Sequence, residues 1–329
     1  MISATILGTG SFLPQKILTN QDLERMVETS DEWITTRTGI SQRRVCAPEE
    51  ASSDLGAEAA RLACENAGLA PTEIDCLICA TVTPDRPLPS TACSIQRKLK
   101  MGPVPAFDIQ AACTGFPYGL ELARVLVLTG TYRRILVVAA ECMTRVTDYK
   151  DRTTCVLFGD GAGAAVVGTW PEEDSGLLGS LLAADGQYED LVYVPAGGSR
   201  LPASVQTVEK RLHYLKMEGS TLFKIAVISM SEAVKNLLQR FRIKPEEVDL
   251  VIPHQANLRI INGVARNSGL PIEKFYVNIQ RYGNMSAASV PVALDEARKE
   301  GLISPGKLIL TVAFGGGLTW GANLIRWTG

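Results

Sequence analysis

The feature that most constrains the fold is a repeat within the chain. Residues 58–80 (EAARLACENAGLAPTEIDCLICA) align without a gap with residues 232–254 (EAVKNLLQRFRIKPEEVDLVIPH), 174 positions further on. Each copy starts with the amphipathic pattern of a helix, passes through a proline turn and ends in an apolar run typical of a buried strand. The sequence therefore predicts two similar α/β halves.

A second match lies further along each copy. The segment FDIQAACTG corresponds to YVNIQRYGNMS through a shared Asp/Asn-Ile-Gln run. Aligned without a gap, this match places Gly283 and Asn284 where Cys113 and Thr114 lie.

The pattern is interrupted where TWPEED separates the two copies. We therefore expect one half over residues 1–172 and the other over residues 173–329. If the halves pack about a pseudo-twofold axis, the ends of equivalent strands meet. Cys113, His254 and Asn284 then converge, although they are far apart in the sequence.

Composition argues against several classes of protein. No segment reaches the ~18 uncharged apolar residues that a membrane helix needs, and the start MISATILGTGSFLP lacks the basic residues of a secretion signal. The net charge of −2 and the pI of about 5.9 give no general indication of nucleic-acid binding. We expect a soluble, cytoplasmic protein with no membrane or nucleic-acid partner.

Eight cysteines lie scattered through apolar segments, which does not suggest a disulfide scaffold. Cys76 and Cys79 have CxxC spacing, but positions three apart in a strand face opposite sides, so neither a metal site nor a redox pair is predicted. The segment FGDGAGAAV has the spacing of a dinucleotide-binding turn, yet a strand-like run follows it instead of a helix. NAD binding is therefore not expected.

Cys113 stands where a strand-like run meets a helix-like run. A thiol in the first turn of a helix lies at the positive end of the helix dipole, which can lower its pKa and make it a thiolate nucleophile. Gly115 leaves room for a substrate to approach. Position alone leaves open that Cys113 is one more buried cysteine.

The chain has two histidines. His213 follows a polar, loop-like stretch and is expected to be a surface or packing residue. His254 ends its predicted strand where Ala80 ends the equivalent strand, and an imidazole there can exchange a proton or donate a hydrogen bond. A lone histidine is more often a hydrogen-bonded core residue, but the nearby nucleophile candidate and the repeat favour a functional role.

Six segments carry a family resemblance and span essentially the whole chain: DEWITTRTGI, FDIQAACTGF, FGDGAGAAV, HQANLRII, YGNMSAASVPVAL and VAFGGGLTWGA. Together they resemble β-ketoacyl-acyl-carrier-protein synthase III, a condensing enzyme of the thiolase fold. The resemblance implies an α/β, five-layered αβαβα homodimer and an acyltransferase activity. It also implies decarboxylating condensation of an acyl-CoA with malonyl-acyl-carrier protein, which starts fatty-acid or related polyketide chains without a metal or redox cofactor.

The resemblance also implies roles for individual residues. Cys113 would accept the acyl group, and His254 and Asn284 would promote decarboxylation by donating hydrogen bonds to the enolate oxygen. The backbone N–H groups of Cys113 and Gly317 would hold the oxygen of the acyl thioester.

For coenzyme A, the resemblance implies that Trp33 lies against adenine, Arg152 stacks on the opposite side and Arg37 pairs with phosphate. From composition alone, Trp33 would be a core residue and the two arginines would be solvated.

For the acidic carrier protein, the resemblance implies docking at Lys224, Arg259 and Arg266, with a solvated helix face as the alternative. It further implies that Leu88 crosses the dimer interface and closes the partner's acyl pocket. The alternative is that Leu88 packs against its own subunit.

Related chemistries differ at recognisable positions. A thiolase resembles this plan but uses a second cysteine near its C-terminus, whereas the last cysteine here is Cys155. Elongating synthases use two histidines where this chain has His254 and Asn284. A thiolase-fold acyltransferase or a chalcone-synthase-like condensing enzyme uses the same Cys-His-Asn site, so these two remain alternatives. The primer, the pathway and the carrier protein are left open.

Overall fold

The computed structural model describes residues 3–329, which form two large sheets separated by a layer of helices, and two further sheets of two short strands each. The strands are β1 (Ser3–Phe12), β2 (Lys16–Thr19), β3 (Gln42–Val45), β4 (Cys76–Ala80), β5 (Ala106–Ile109), β6 (Arg134–Cys142), β7 (Asp160–Trp170), β8 (Gly176–Ala184), β9 (Val192–Tyr193), β10 (Lys216–Met217), β11 (Leu250–Pro253), β12 (Leu308–Gly315) and β13 (Thr319–Arg326). The α-helices are α1 (Asn20–Glu24), α2 (Asp31–Thr38), α3 (Ser52–Asn66), α4 (Thr91–Lys98), α5 (Gly115–Leu128), α6 (Val205–Glu209), α7 (Gly219–Phe241), α8 (Leu258–Ser268), α9 (Ile279–Tyr282) and α10 (Ser289–Lys299).

The two large sheets have the same order and directions. The first runs β1-β7-β6-β4-β5, with β1 and β7 antiparallel and β6, β4 and β5 parallel to one another. The second runs β8-β13-β12-β11 with the same directions. A single parallel bridge between Val251 and Phe275 stands where a fifth strand would continue it. The second sheet therefore repeats the first, with its last strand reduced to one bridge.

Helices separate and cover the sheets. Apolar side chains of α5 and α10 pack between the sheets in one core. Helices α3 and α4 cover the outer face of the first sheet, and α7 and α8 cover that of the second. This αβαβα order confirms the predicted thiolase-like fold.

The repeat holds at the level of hydrogen bonds. The Asp75 carboxylate accepts a bond from the Arg134 backbone N–H at 3.0 Å, and Asp249 accepts one from the Leu308 N–H at 2.7 Å. Both pairs obey the offset of 174 residues seen in the sequence. Asp75 lies just before β4 and anchors the start of the neighbouring β6, and Asp249 lies just before β11 and anchors the start of the neighbouring β12.

The short turns before the two central helices correspond at the same offset: residues 112–114 precede α5 and residues 286–288 precede α10. Cys113 is therefore matched by Ala287. The predicted match of Cys113 to Gly283 is therefore wrong, and so is that of Thr114 to Asn284. The reason is that the four-residue helix α9 lies ahead of the second turn and adds four positions.

Strand β4 shows why CxxC spacing misleads here. Cys76 packs in the core between the sheets, whereas Cys79 packs in the outer core under α3. The two thiols lie on opposite faces, as predicted. In the described residues 3–329, no helix is long and apolar enough to cross a membrane.

Candidate active site

A cavity of about 610 Å³ opens where the two halves meet. Cys113 from the first half and His254 and Asn284 from the second all line it, as the repeat predicted. Its wall is mostly apolar and includes Val82, Met143, Val146, Leu157, Leu215, Met217, Leu222, Phe223, Ile260 and Phe314. A reactive thiol at the wall of a largely apolar cavity suits an acyl chain bound beside it.

Cys113 lies in the turn that joins β5 to α5. The residue before it, Ala112, has a φ of 45°, and the equivalent residue of the other half, Ser286, has a φ of 49°. Residues other than glycine rarely adopt this left-handed conformation, and such strain concentrates at functional sites. The two halves thus present the same strained turn to the cavity.

The pKa of the Cys113 thiol differs from the sequence-based expectation. Burial raises it to about 12, and hydrogen bonds from Ser286 and from the backbone of Cys113 lower it only in part. The expected net lowering by the helix terminus is therefore wrong, because desolvation of the thiolate outweighs it. Burial thus favours the protonated form of the thiol in the free protein.

His254 directly follows β11, and its backbone N–H donates to the Val312 carbonyl at 2.7 Å. The side chain is buried, and burial lowers its pKa to about 3. Its buried Nδ1 has no hydrogen-bond partner within residues 3–329. The imidazole is therefore neutral at physiological pH and has hydrogen-bonding capacity that the folded chain leaves unused.

The orientation of the Asn284 side chain is set by its neighbour. Its Oδ1 accepts a hydrogen bond from the Ser286 backbone N–H at 2.8 Å. Its backbone is held by the Leu157 carbonyl and by the Gly159 N–H. With the carbonyl end occupied, the NH₂ end of the amide is the part available to a ligand in the cavity.

A glycine turn between β12 and β13 closes over the nucleophile. A Cβ on Gly315 would lie 2.6 Å from the Cys113 backbone nitrogen, so only glycine fits there. The Thr319 hydroxyl accepts a bond from the Thr114 hydroxyl at 2.8 Å and donates to the Ala111 carbonyl at 3.0 Å. These contacts fix the turn against the start of α5.

Gly317, the predicted oxyanion residue, also lines the cavity and has a φ of 136°, which favours glycine. Its neighbours Gly315 and Gly316 lie closer to the Cys113 turn: a Cβ on Gly315 would meet the Cys113 backbone, and one on Gly316 would meet the Ala112 side chain, whereas a Cβ on Gly317 would meet only Thr319. Sequence reasoning missed these two glycines, although the GGG run pointed to the whole turn.

The three residues predicted to bind coenzyme A lie together. Trp33 is half-buried on α2, and the guanidinium carbons of Arg152 and Arg37 lie 4.9 Å and 5.8 Å from its ring centroid. The Arg37 carbonyl accepts a bond from the Asn257 side chain at 3.1 Å, and Asn257 lines the cavity. The cluster therefore lies at the cavity rim, with Arg152 resting directly on Trp33.

The predicted docking residues are all exposed. Lys224 lies on α7, and Arg259 and Arg266 lie on α8. The Arg259 guanidinium lies 5.4 Å from the ring of Phe223, which lines the cavity. Within residues 3–329 none of the three cations forms an ion pair.

Leu88 is 83% exposed and does not line the cavity of its own chain. The alternative that it packs against its own subunit is therefore wrong. Phe107, on the edge strand β5, is exposed as well.

Two site residues escaped the sequence analysis. Ser286 lines the cavity beside Asn284, and Glu141 is completely buried behind it on β6. A signal for Glu141 was present, because it is the single charged residue within the apolar run ILVVAAEC. Buried acids without a paired cation are uncommon and often functional.

Comparison with known proteins places this architecture in one group. The family model described as 3-oxoacyl-[acyl-carrier-protein (ACP)] synthase III matches residues 107–186, and the model of its C-terminal part matches residues 238–327. The chain is 55% identical to the beta-ketoacyl-[acyl-carrier-protein] synthase III of Caldanaerobacter subterraneus subsp. tengcongensis, over 99% of this chain and 98% of that protein.

Solved structures agree. The crystal structure of 3-oxoacyl-[acyl-carrier-protein] synthase III from Aquifex aeolicus superimposes with a TM-score of 0.91 at 49% identity, covering 98% of this chain and 100% of that one. The priming beta-ketosynthase from the R1128 polyketide biosynthetic pathway superimposes with a TM-score of 0.90 at 34% identity, covering 99% and 96%.

Proposed function

The chain belongs to the 3-oxoacyl-[acyl-carrier-protein] synthase III family, and we propose that it condenses an acyl-CoA with malonyl-acyl-carrier protein to start fatty-acid synthesis. It is an acyltransferase-type condensing enzyme. The observation that carries the assignment is that Cys113, His254 and Asn284 line a single apolar cavity although they come from different halves. The proposed chemistry requires no metal or redox cofactor.

In the first step, the Cys113 sulfur attacks the acyl-CoA carbonyl, the bond to the coenzyme A sulfur breaks and an acyl-cysteine forms. Oxyanion charge develops next to the nucleophile, and backbone N–H groups fixed there stabilise it. The N–H groups of Cys113 and Gly317 are assigned to this role, with the tight turn at Gly315 holding the two segments together. The apolar walls accommodate the acyl chain.

In the second step, malonyl-acyl-carrier protein loses CO₂ and leaves an enolate. His254 and the Asn284 NH₂ group donate hydrogen bonds to the enolate oxygen. A neutral imidazole suits this role, because its ring N–H donates without the cost of burying a positive charge. The carbanion then attacks the acyl-cysteine carbonyl, the bond to the Cys113 sulfur breaks, and β-ketoacyl-acyl-carrier protein forms; the expelled Cys113 thiolate takes up a proton from solvent.

Coenzyme A binding is assigned to Trp33, Arg37 and Arg152. The guanidinium carbon of Arg152 already lies 4.9 Å from the centroid of the Trp33 ring. An adenine bound between the two side chains therefore requires Arg152 to move away from Trp33 by about the thickness of one ring. The carrier protein is assigned to Lys224, Arg259 and Arg266, whose unpaired positive charges suit an acidic partner.

A homodimer in the cytoplasm completes the proposal. Strand β5 is a short unpaired sheet edge, and the exposed Leu88 and Phe107 are the kind of apolar side chains that a partner subunit covers. Leu88 would then reach the acyl cavity of the partner. Sedimentation velocity of the purified chain distinguishes the dimer from a monomer.

The deciding experiment supplies purified protein with acetyl-CoA and malonyl-acyl-carrier protein and measures the products by mass spectrometry. We expect an acyl adduct on Cys113 after acetyl-CoA alone, and acetoacetyl-carrier protein with CO₂ once the malonyl substrate is added. An acyl adduct with no CO₂ release in the presence of malonyl-carrier protein would instead indicate a thiolase-fold acyltransferase.

A second candidate places the same condensation at the start of a polyketide chain. The likeness to the R1128 priming ketosynthase favours it. Offering carrier proteins of both pathways from the source organism separates the two, since the true partner gives the higher kcat/KM.

A further inference from the structure

A buried glutamine directly follows His254. Gln255 is 1% exposed and does not line the cavity, whereas His254 does. The Gln255 Nε2 donates hydrogen bonds to the Pro253 carbonyl at 2.9 Å and to the Tyr276 carbonyl at 3.1 Å. Its Oε1 accepts bonds from the backbone N–H groups of residues 278 and 279, each at 3.1 Å. The amide therefore uses both of its donor hydrogens and both acceptor sites of its oxygen, all on backbone groups.

These bonds join the two segments that carry the decarboxylation pair. One segment carries His254, and the other runs through α9 to Asn284. Within α9 the Gly283 N–H donates to the Ile279 carbonyl at 2.8 Å. Ile279 is thus bonded to Gln255 at its N–H and, at its carbonyl, to the residue just before Asn284. The Gln255 amide links the position of one site residue to that of the other.

The two halves solve this connection differently. In the first half, Thr81 corresponds to Gln255 at the offset of 174 residues, and its backbone N–H donates to the Ile109 carbonyl at the end of β5. In the second half, the fifth strand is reduced to the bridge between Val251 and Phe275. The Gln255 side chain therefore takes the place of backbone pairing at the cavity end of the second sheet.

We propose that Gln255 is a positioning residue, which fixes His254 relative to Asn284 so that both donors reach the enolate oxygen during decarboxylation. This inference rests on the proposed function and deepens its second step. Two donors stabilise one oxygen only when each lies about 2.7–3.1 Å from it. A displacement of about 1 Å, even one caused by a residue away from the reacting atoms, can cost about 10²-fold in rate.

Other bonds keep each site residue in the fold. The His254 backbone N–H is held by Val312 on β12, and the Asn284 backbone is held by residues 157–159 of the first half. These bonds fasten the two residues to different parts of the protein, whereas Gln255 joins their own segments. Loss of the Gln255 bonds should therefore change the separation of the two donors and leave the nucleophile turn unaltered.

Two substitutions test this role. Gln255→Met keeps the length and bulk of the side chain and removes all four hydrogen bonds. Gln255→Asn keeps an amide but is one methylene shorter, so it does not reach both segments at once.

Asn323→Leu is the matched control. Asn323 lies on β13, is also 1% exposed and does not line the cavity. Its amide donates to the Pro117 carbonyl at 3.1 Å and the Ser180 hydroxyl at 2.7 Å. It accepts a bond from the Thr311 hydroxyl at 2.7 Å. This variant removes a similarly bonded buried amide that does not connect His254 to Asn284.

The experiment first measures the single-turnover rate of Cys113 acylation by acetyl-CoA. Malonyl-carrier protein is then added to the acylated enzyme, and CO₂ release is counted per acyl-cysteine, so that only folded protein contributes. Gln255→Met should release CO₂ about 10- to 100-fold more slowly, with the acylation rate and the KM for malonyl-carrier protein nearly unchanged. Gln255→Asn should fall between this variant and the wild type. Asn323→Leu should keep the wild-type ratio of the two rates.

A double variant separates positioning from a general loss of stability. Adding Asn284→Ala to Gln255→Met should reduce CO₂ release by a smaller factor than adding it to the wild type, because the Asn284 donor is already out of place. A residue that only stabilises the fold would give the same factor in both backgrounds.

Equal losses in both half-reactions, the same factor in both backgrounds, or a wild-type rate of CO₂ release in Gln255→Met would each overturn the positioning role. A selective loss in Asn323→Leu as large as that in Gln255→Met would overturn it as well. Should Gln255→Met yield no folded protein, the same criteria apply to Gln255→Asn. Failure of the acylated wild type to release CO₂ would instead overturn the proposed function itself.

Discussion

The two halves of this chain share one backbone plan and carry different chemistry. In the proposed assignment, the first half handles acyl-CoA through Trp33, Arg37, Leu88, Cys113 and Arg152. The second half handles the malonyl substrate through Lys224, His254, Arg259, Arg266 and Asn284. The shared plan is maintained by buried apolar residues in the strands and central helices. The differences lie at strand ends and turns, where side chains face the cavity instead of the core.

Matched positions make the comparison concrete. Cys113 is matched by Ala287, and His254 by Ala80, at the offset of 174 residues. At these two pairs, the half that lacks the reactive group has the small, inert alanine. The central layer therefore accommodates the same turns in both halves, and only one side of each pair contributes chemistry.

The largest expected effect is at the first of these pairs. Cys113→Ala should abolish acylation by acetyl-CoA while the protein stays folded, because alanine already occupies the matched turn at Ala287. Intact-protein mass spectrometry checks for the adduct, and Cys93→Ala, which removes an exposed thiol elsewhere, serves as the control. An acyl adduct on the Cys113→Ala protein would disprove the nucleophile assignment.

The residues of the Cys113–Ala287 pair can also be exchanged. Adding Ala287→Cys to Cys113→Ala moves the thiol to the matched position, which is completely buried and does not line the cavity. No acylation is expected, because acyl-CoA cannot reach that sulfur. Detection of an acyl group on Cys at position 287 would show that the two halves are functionally interchangeable.

The next largest effect concerns the second half alone. His254→Ala and Asn284→Ala should still acylate Cys113 but lose malonyl decarboxylation by about 10² or more, the scale for removing one oxyanion donor. His213→Ala is the matched control, since His213 bonds Thr207 at 2.9 Å outside the cavity. Because burial keeps His254 neutral above about pH 3, titration of this residue should not change CO₂ release between pH 5 and pH 8. Unchanged CO₂ release in both variants would remove them from this role.

A smaller effect is expected for primer choice in the first half. With Leu88 rather than a larger aromatic ring closing the partner's cavity, branched or medium-length primers should work at least as well as acetyl-CoA, each fitting methylene contributing about 0.8 kcal/mol. Leu88→Phe should shift preference toward acetyl, because forcing atoms into filled space costs about 1–3 kcal/mol, or roughly 5- to 150-fold. The measurement compares kcat/KM for acetyl-, isobutyryl-, hexanoyl- and octanoyl-CoA.

The control for primer choice is Leu302→Phe, at an exposed leucine of the second half. It should leave the profile as in the wild type. An identical primer profile in Leu88→Phe would exclude Leu88 as the gate.

The smallest effect concerns docking to the second half. Lys224→Ala and Arg259→Ala should each raise KM for malonyl-carrier protein about two- to fivefold, the scale of an exposed charge pair, and leave KM for acetyl-CoA unchanged. The effect should shrink at high salt. Lys235→Ala, three turns further along α7, is the control. A parallel rise in KM for acetyl-CoA would contradict the division of labour between the halves.

Local pattern in the sequence was enough for the repeat and for the three residues that meet in the cavity, and the αβαβα class followed from the family resemblance of six short segments. It succeeded because helix and strand periodicity and short motifs around Cys113, His254 and Asn284 are properties of neighbouring residues. It failed at the insertion of α9, because a four-residue helix shifts the match without changing the flanking motif.

The tertiary structure alone decided two things: that burial outweighs the helix dipole at the Cys113 thiol, and that Arg152 rests on Trp33. Desolvation depends on everything packed around a group, and the contact of Arg152 with Trp33 joins residues far apart in the chain. Neither the desolvation of a buried group nor a contact between distant residues is encoded in a local stretch of sequence, so both follow only from the packed tertiary structure.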